Sequence, residues 1–329
     1  MRILGHTVPR WIVLAAVPLL AVIVVGLIVS CSGDRPAGPR SVRAGVVADS
    51  TAPPPPAPVV FVGAGDIAGC TSKGGIKAGT IGTAALLDSI PGTVFTIGDN
   101  AYELGAAADF ANCYAPSWGR QKARTYPSIG NHEYDLGTPQ AYFDYFGPIA
   151  GDPSKGYYSF DLGAWHIIML NSNQDYVPTK AGTPQELWLK ADLAASTKRC
   201  TIAIWHHPRF YSNDAPSLPG VRGYVKAFWD DLYAANAEIV LVAHQHWYER
   251  YAPMTPDGVV DTVRGIRQFI VGTGGKSISA PTSIYPTSEV QNGDTYGVIK
   301  LTLDTASYTW QFIPIKGQTF TDSGSGRCH

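Results

Sequence analysis

Five short clusters of polar residues are spaced along the chain in a way that could support metal chemistry: Gly65-Asp66, Gly98-Asp99-Asn100-Ala101-Tyr102, Gly130-Asn131-His132-Glu133, His206-His207-Pro208 and His244-Gln245-His246. Carboxylate, imidazole, carboxamide oxygen and phenolate are donors for hard to borderline transition metals. Two cations held about 3.5–4 Å apart need an anion between them, a role that a carboxylate fills. A glycine precedes each of Asp66, Asp99 and Asn131, as a sharp strand-to-loop turn presenting the next side chain would require. Five of the seven histidines beyond residue 58 fall in these clusters, whereas histidine used as filler would be scattered. Taken singly, each cluster has an ordinary reading: an Asp after a strand is a turn former or a cap, and Tyr102 is a packing aromatic. Five in order, each after a predicted strand, read as one site.

The elements that must position these residues follow from hydrophobic patterning. Residues 58–62, 94–97, 201–205 and 238–242 are apolar runs of buried-strand length, and the first, second, fourth and fifth clusters lie just beyond them. Residues 76–90 read as a helix. So do residues 184–195, with Thr183 as N-cap and Pro184 in the first turn. Residues 157–170 form a hairpin turning at Leu162-Gly163, and residues 266–315 are mostly strand. Strands dominate with helices interspersed, which predicts an α/β (α+β) fold, a two-sheet β-sandwich flanked by helices. Ligand sites collect at the C-terminal ends of strands in such folds.

The chain divides into residues 1–31, 32–58 and 59–329. In the first, Arg2 and Arg10 precede an apolar run from Trp11 to Val29, long enough to span a bilayer. The run ends in Leu27-Ile28-Val29-Ser30-Cys31, which resembles a bacterial lipobox with Cys31 as the lipidated residue; an uncleaved signal anchor is the alternative. Residues 32–58 are a linker culminating in Pro53-Pro54-Pro55-Pro56, a composition that extends and buries no core. Five cysteines remain to be assigned. With Cys31 given to the lipid, Cys70, Cys113, Cys200 and Cys328 can form two disulfides, which implies an oxidising, extracytoplasmic compartment and a membrane association through the N-terminus. Cys70 and Cys113 follow the first two clusters, and Cys200 opens a strand while Cys328 lies in the tail, so the expected pairs are Cys70–Cys113 and Cys200–Cys328. Net charge is −1 overall; residues 1–58 carry five Arg against two acids, leaving 20 basic and 24 acidic side chains, a net of −4, beyond them. A weakly acidic body offers no nucleic-acid-binding surface and fits a small substrate better.

On these residues the sequence resembles the purple acid phosphatases, a branch of the calcineurin-like metallophosphoesterases. The likeness covers nearly all of residues 59–329 and is most extended at His244-Gln245-His246-Trp247-Tyr248-Glu249-Arg250. It implies the αββα metallophosphoesterase fold and two metal ions: Asp66, Tyr102 and His246 on the first, Asn131, His206 and His244 on the second, and Asp99 bridging. Most relatives begin with Asp-x-His, whose histidine binds the first metal; here that place is Ala68, and Tyr102, three residues after Asp99, supplies the missing ligand. The resemblance therefore implies Fe(III) in the first site and Fe(II), Zn or Mn in the second. It further implies a small phosphate-ester substrate, a metal-activated water attacking phosphorus, and His132 protonating the leaving alcohol or binding the phosphate. The leading activity is phosphomonoester hydrolysis; a phosphodiesterase acting on nucleotides or phospholipid head groups, and a non-catalytic metal-binding surface protein, are the alternatives. The chain departs from the family pattern at Ala243, where a Gly is usual, and at 212–216, which lack a histidine found in close relatives.

Other residues take plainer roles. His207 reads as a supporting or substrate-contacting neighbour of His206, and His166 as structural. Glu249 and Arg250 read as an ion pair bracing the His244 loop, Gly272-Thr273-Gly274-Gly275 as a tight turn, and Tyr142, Phe143, Tyr145 and Phe146 as helix packing.

Overall fold

Two sheets face each other across the main apolar core, and a second core packs helices on the outside of one of them. The computed structural model describes residues 57–213 and 219–329. Cys31, the apolar run of residues 11–29 and most of the linker lie outside the described residues, as does most of the 212–216 stretch. Among the described residues no helix is long and apolar enough to cross a membrane.

The six-stranded sheet runs in the order Ser323–Arg327, Ser307–Pro314, Gly297–Leu303, Val59–Ala64, Thr93–Thr96, Thr125–Tyr126. The seven-stranded sheet runs Ser288–Asn292, Tyr248–Tyr251, Arg267–Val271, Ile239–Val242, Cys200–Ile204, Trp165–Met169, Tyr158–Leu162. Strand Val59–Ala64 pairs in parallel with Thr93–Thr96 and antiparallel with Gly297–Leu303. In the second sheet the four strands from Trp165–Met169 to Arg267–Val271 are mutually parallel.

The apolar runs of the second sheet are continuous because both of its faces are buried. Ile202, Ile204, Ile239 and Leu241 point into the core between the sheets. Their alternates Ala203, Val240 and Val242 join the outer core with Leu189, Phe228, Trp229 and Leu232. Side chains of a strand alternate faces, so a strand buried on both sides has no polar positions to spare. The outer helices are Pro184–Ala195 and Lys226–Ala234. On the first sheet, Ala78–Ser89 makes the crossover between Val59–Ala64 and Thr93–Thr96. The two-sheet sandwich flanked by helices is therefore present, and Gln140–Phe146 buries Tyr142, Phe143 and Phe146 as packing aromatics.

Both disulfides are formed with the expected pairing, Cys70–Cys113 and Cys200–Cys328, each with Cα atoms 5.4 Å apart. Two local expectations are corrected. Thr183 precedes the helix that starts at Pro184, but its hydroxyl donates backward to the Lys180 carbonyl at 2.7 Å instead of capping the helix. Glu249 and Arg250 are not an ion pair. They are neighbours on strand Tyr248–Tyr251 and so face opposite ways: Glu249 accepts from Ser212 Oγ and Trp247 Nε1, while Arg250 pairs with Asp322 and Glu289.

His166 is structural, as expected. Its ring lies between Asp161 at 3.1 Å and Asp192 at 2.8 Å, tying strand Trp165–Met169 to its neighbour and to helix Pro184–Ala195; Lys198 also faces Asp161 at 3.6 Å. Burial works against its charge, but the two carboxylates outweigh burial and raise its pKa above the ordinary value. A raised folded pKa means the stabilisation is complete below the unfolded value of about 6.5 and is lost as pH rises through the folded value. Denaturant unfolding at pH 5.5 and 8.5 should show the wild type losing more stability than His166→Gln across that interval; equal losses would refute this role.

Candidate metal centre

The clusters meet where the C-terminal ends of the parallel strands of both sheets converge. Asp66 lies two residues beyond Val59–Ala64, Asp99 three beyond Thr93–Thr96, His206 two beyond Cys200–Ile204 and His244 two beyond Ile239–Val242. The sheets are joined here by backbone, Gly65 N donating to Val271 O at 2.9 Å, while Ala243 N donates to His206 O at 2.9 Å within the second sheet. The expected glycine turns are realised differently from the sequence reading. Of the three glycines only Gly98 is left-handed, whereas Asp66, Asp99 and His244 themselves have φ of 57°, 49° and 68°. A non-glycine residue in this region stores roughly 1–3 kcal/mol, and such strain concentrates at functional sites. Gly65 and Gly130 are needed for closeness: a Cβ would lie 2.5 Å from Ala243 Cβ at the first and 2.1 Å from Asp99 Oδ1 at the second. The methyl of Ala243 thus packs against a residue that has no side chain.

Seven side chains form one continuous set. Tyr102 donates its hydroxyl to Asp66 Oδ1 at 2.7 Å and Asp99 Oδ2 at 2.8 Å, with His246 Nε2 3.4 Å away. His246 Nε2 is 3.2 Å from Asp66 Oδ1, and His206 Nε2 is 3.2 Å from Asp99 Oδ2. His244 Nδ1 is 3.0 Å from Asn131 Oδ1 and 3.2 Å from His206 Nε2. Asp99 therefore stands between a Tyr102–Asp66–His246 group and a His206–His244–Asn131 group. Outer contacts aim the rings: His206 Nδ1 donates to the Ile97 carbonyl at 2.8 Å, and His246 Nδ1 meets Ser277 Oγ at 2.6 Å, so both turn Nε2 inward. A ring nitrogen tied in this way is the usual support of a metal-binding imidazole.

The donor set fits metal ions on its electrostatics. Asp66 and Asp99 are 0% and 1% exposed. Among the described residues their ion pairs come only from His132, His206 and His246, not from Lys or Arg. Buried carboxylates need compensating positive charge. Burial works against ionisation, yet His246 lowers the pKa of Asp66 and His206 that of Asp99. Correspondingly, burial pulls His206 down but Asp99 wins and raises it to about 9. Burial, then the charge of His206, depresses His244 to about 3. Burial, then Asp66 and Asp99, raises Tyr102. The carboxylates thus favour positive charge on His206 and His246, a role that cations would serve equally. Two overlapping groups, Asp66–Asp99–His206 and His206–His207–His244, each keep their donor atoms within 4.8 Å of one another. His207 enters the second, but Ser172 Oγ engages its Nδ1 at 2.9 Å.

His132 sits at the rim, 30% exposed in its side chain, with Nε2 3.8 Å from Asp99 Oδ2. Its Nδ1 lies 2.6 Å from the Glu103 carbonyl and 2.7 Å from Asp135 Oδ2. Both partners are acceptors, so Nδ1 carries a proton and Nε2 is the atom presented to the centre. Beyond Asn131 and His207 a cleft of about 320 Å³ opens, lined also by Asp135, Ser172, Asp175 and Tyr224, and by Tyr176, which stacks on Tyr134 at 4.2 Å. The Gly272–Gly275 turn follows strand Arg267–Val271, and Lys276 N just after it donates to the Asp66 carbonyl at 3.0 Å.

Glu133 belongs to the third polar cluster, but its residue type does not announce a role. It is 1% exposed, and its carboxylate accepts from the amides of Gly130 and Asn100 at 2.7 Å, Asp99 at 3.1 Å and Ala101 at 3.4 Å. One side chain thereby locks the Asp99 loop to the Asn131 loop. Replacing Glu133 with Ala strands these buried donors, at about 1–3 kcal/mol each. We expect Glu133→Ala to lose about 3 kcal/mol or more of unfolding free energy in denaturant titrations; wild-type stability would contradict the locking role.

Residues 50–248 match the family model described as calcineurin-like phosphoesterase. Purple acid phosphatase 15 of Arabidopsis thaliana is 29% identical over 199 residues, 50% of this chain and 37% of that protein. Among solved structures, the purple acid phosphatase PPD1 of yellow lupin (Lupinus luteus) superposes with a TM-score of 0.60 at 20% identity, covering 82% of this chain and 53% of that one. GAP50, the anchor in the inner membrane complex of Plasmodium, also gives 0.60 at 13% identity, covering 81% and 88%. At these identities the two structures establish the fold. The match spans less than two-fifths of the Arabidopsis relative and about half of the lupin chain.

Proposed function

Because the chain belongs to the calcineurin-like phosphoesterase family, we propose that it is a metal-dependent hydrolase of phosphate monoesters of the purple acid phosphatase type. The observation that carries this reading is the pair of fully buried carboxylates, Asp66 and Asp99, ringed by Tyr102, Asn131 and three histidines with no Lys or Arg ion pair among the described residues. Asp66, Tyr102 and His246 would hold a first ion, ferric iron, and Asn131, His206 and His244 a second, divalent iron, zinc or manganese, with Asp99 shared. Two such ions, when bound, supply Lewis-acid activation of water and neutralise charge on the phosphoryl oxygens.

The chain's own residues do the remaining work. His132 holds a proton at Nε2 for the departing alcohol, its ring fixed at Nδ1 by the Glu103 carbonyl and Asp135. Asn131 and His207 mark where the metal centre opens into the cleft that receives the ester. Two disulfides support an oxidising, extracytoplasmic setting. Attachment through Cys31 or through an uncleaved apolar segment is the corresponding proposal for the N-terminus.

Turnover of p-nitrophenyl phosphate against bis(p-nitrophenyl) phosphate, with metal analysis of the same preparation, tests the reading. Metal content near two ions per chain and preference for the monoester are expected; preference for the diester would favour the phosphodiesterase alternative. His132→Ala should keep its metal but lose roughly two to four orders of magnitude in turnover of an ester with a poor leaving group. Asp99→Ala should lose metal. Unchanged turnover in His132→Ala would remove the acid role.

Iron-loaded protein should be pink to purple from phenolate-to-iron charge transfer, and Tyr102→Phe should abolish the colour while the other six donors retain some metal. Colourless, iron-free and fully active wild-type protein would refute the ferric site and leave the two-metal hydrolase.

A further inference from the structure

The face of the Tyr102 ring is covered by a cation. Lys276 Nζ lies 4.4 Å from the ring centroid, on a side chain only 12% exposed. Three contacts hold it there. Its amide donates to the Asp66 carbonyl at 3.0 Å. Its ammonium pairs with Glu103, the residue after Tyr102. Its carbonyl accepts from Lys77 Nζ at 3.0 Å.

Room for this arrangement comes from Gly69, which stands opposite Tyr102 in the short parallel pairing of Ala68–Gly69 with Ala101–Tyr102. A Cβ on Gly69 would lie 3.1 Å from Lys77 Cδ and 3.4 Å from Lys276 Cδ, so both lysine stems rest on the space that a side chain would fill. The plain alternative is a rim lysine paired with Glu103, which is 64% exposed, and such a pair is worth little on its own. That pairing does not require the ammonium to sit over an aromatic face; a cation–π contact does.

We propose that Lys276 is a positioning residue that keeps a fixed positive charge against Tyr102 and sets the energy of its phenolate electrons in the iron-loaded protein. This rests on the reading of Tyr102 as an iron ligand. A cation over the ring lowers the energy of the ring electrons, so charge transfer from phenolate to ferric iron takes more energy with Lys276 than without it. Loss of the same positive charge near the ion also favours the ferric state over the ferrous.

The test compares wild type, Lys276→Met and Lys276→Arg, each loaded with iron and matched for iron per chain. Lys276→Met removes the charge at similar volume, and its absorption maximum should move to longer wavelength while its midpoint potential falls. Lys276→Arg should return both toward wild type, which a purely structural role would not require. A Lys276→Met spectrum superimposable on wild type at equal iron content overturns the proposal and leaves Tyr102 as a ligand. Wild-type protein with iron bound but no visible band overturns the ligand reading and this proposal with it. Should Lys276→Met fail to fold, Glu103→Gln, which strips the countercharge from Lys276, is expected to move the band to shorter wavelength; an unmoved band there overturns the proposal equally.

Discussion

Two carboxylates with almost no access to water, Asp66 and Asp99, are the constraint around which the molecule is arranged. Each is held in a left-handed backbone that an L-residue enters only at a cost, so each must be fixed by its surroundings. Part of that fixing is direct. The amide of His244 donates to Asp66 Oδ2 at 2.9 Å and that of His132 to Asp99 Oδ1 at 3.0 Å, so the two carboxylates orient the loops that carry the neighbouring clusters. Hydrogen bonds to a charged acceptor are the stronger kind. Geometry and charge are thus one problem here: moving either Asp would also move the imidazoles that balance it.

The two sides of the centre differ in character. Around Tyr102 there are two lysine ammoniums, a glutamate and little open space. Around Asn131 and His207 the surface opens into a cleft bordered by tyrosines and aspartates. On the first side the lysine stems lie on Gly69, and the Gly272–Gly275 turn packs against Asp66 and Gly65. The centre therefore has one flank lined by charged side chains and one that opens into a cleft.

Much of this was legible in the sequence because the chemistry repeats the topology. Each cluster follows a strand, and parallel strands carry their C-terminal ends to one edge, so order along the chain became proximity in space. The Cys70–Cys113 pair was legible for the same reason, and Cys200–Cys328 because a bond there pins the tail to the start of a strand. Glu133 was not, since its partners are main-chain amides of a different loop, which no residue type announces. Nor was Lys276, which meets Tyr102 across 174 residues through a turn whose direction depends on the second sheet. The opposed faces of Glu249 and Arg250 could have been read from strand alternation once residues 248–251 were taken as a strand. The left-handed aspartates could not, because glycine beside each offered the cheaper place for a positive φ.

The strand that delivers Asp66 has a partner on each side: Thr93–Thr96, which follows soon in the chain, and Gly297–Leu303, which arrives more than 230 residues later. All seven donors lie between residues 66 and 246, yet the sheet that supports the first of them is finished only by a segment beyond the last. Closing so long a loop carries an entropic cost before its contacts form and slows folding. During synthesis, a chain emerging from its N-terminal end would expose one unpaired edge of Val59–Ala64 until residue 303 had appeared. The sheet that carries Asp66 is consequently completed late, by a strand that holds none of the seven donors.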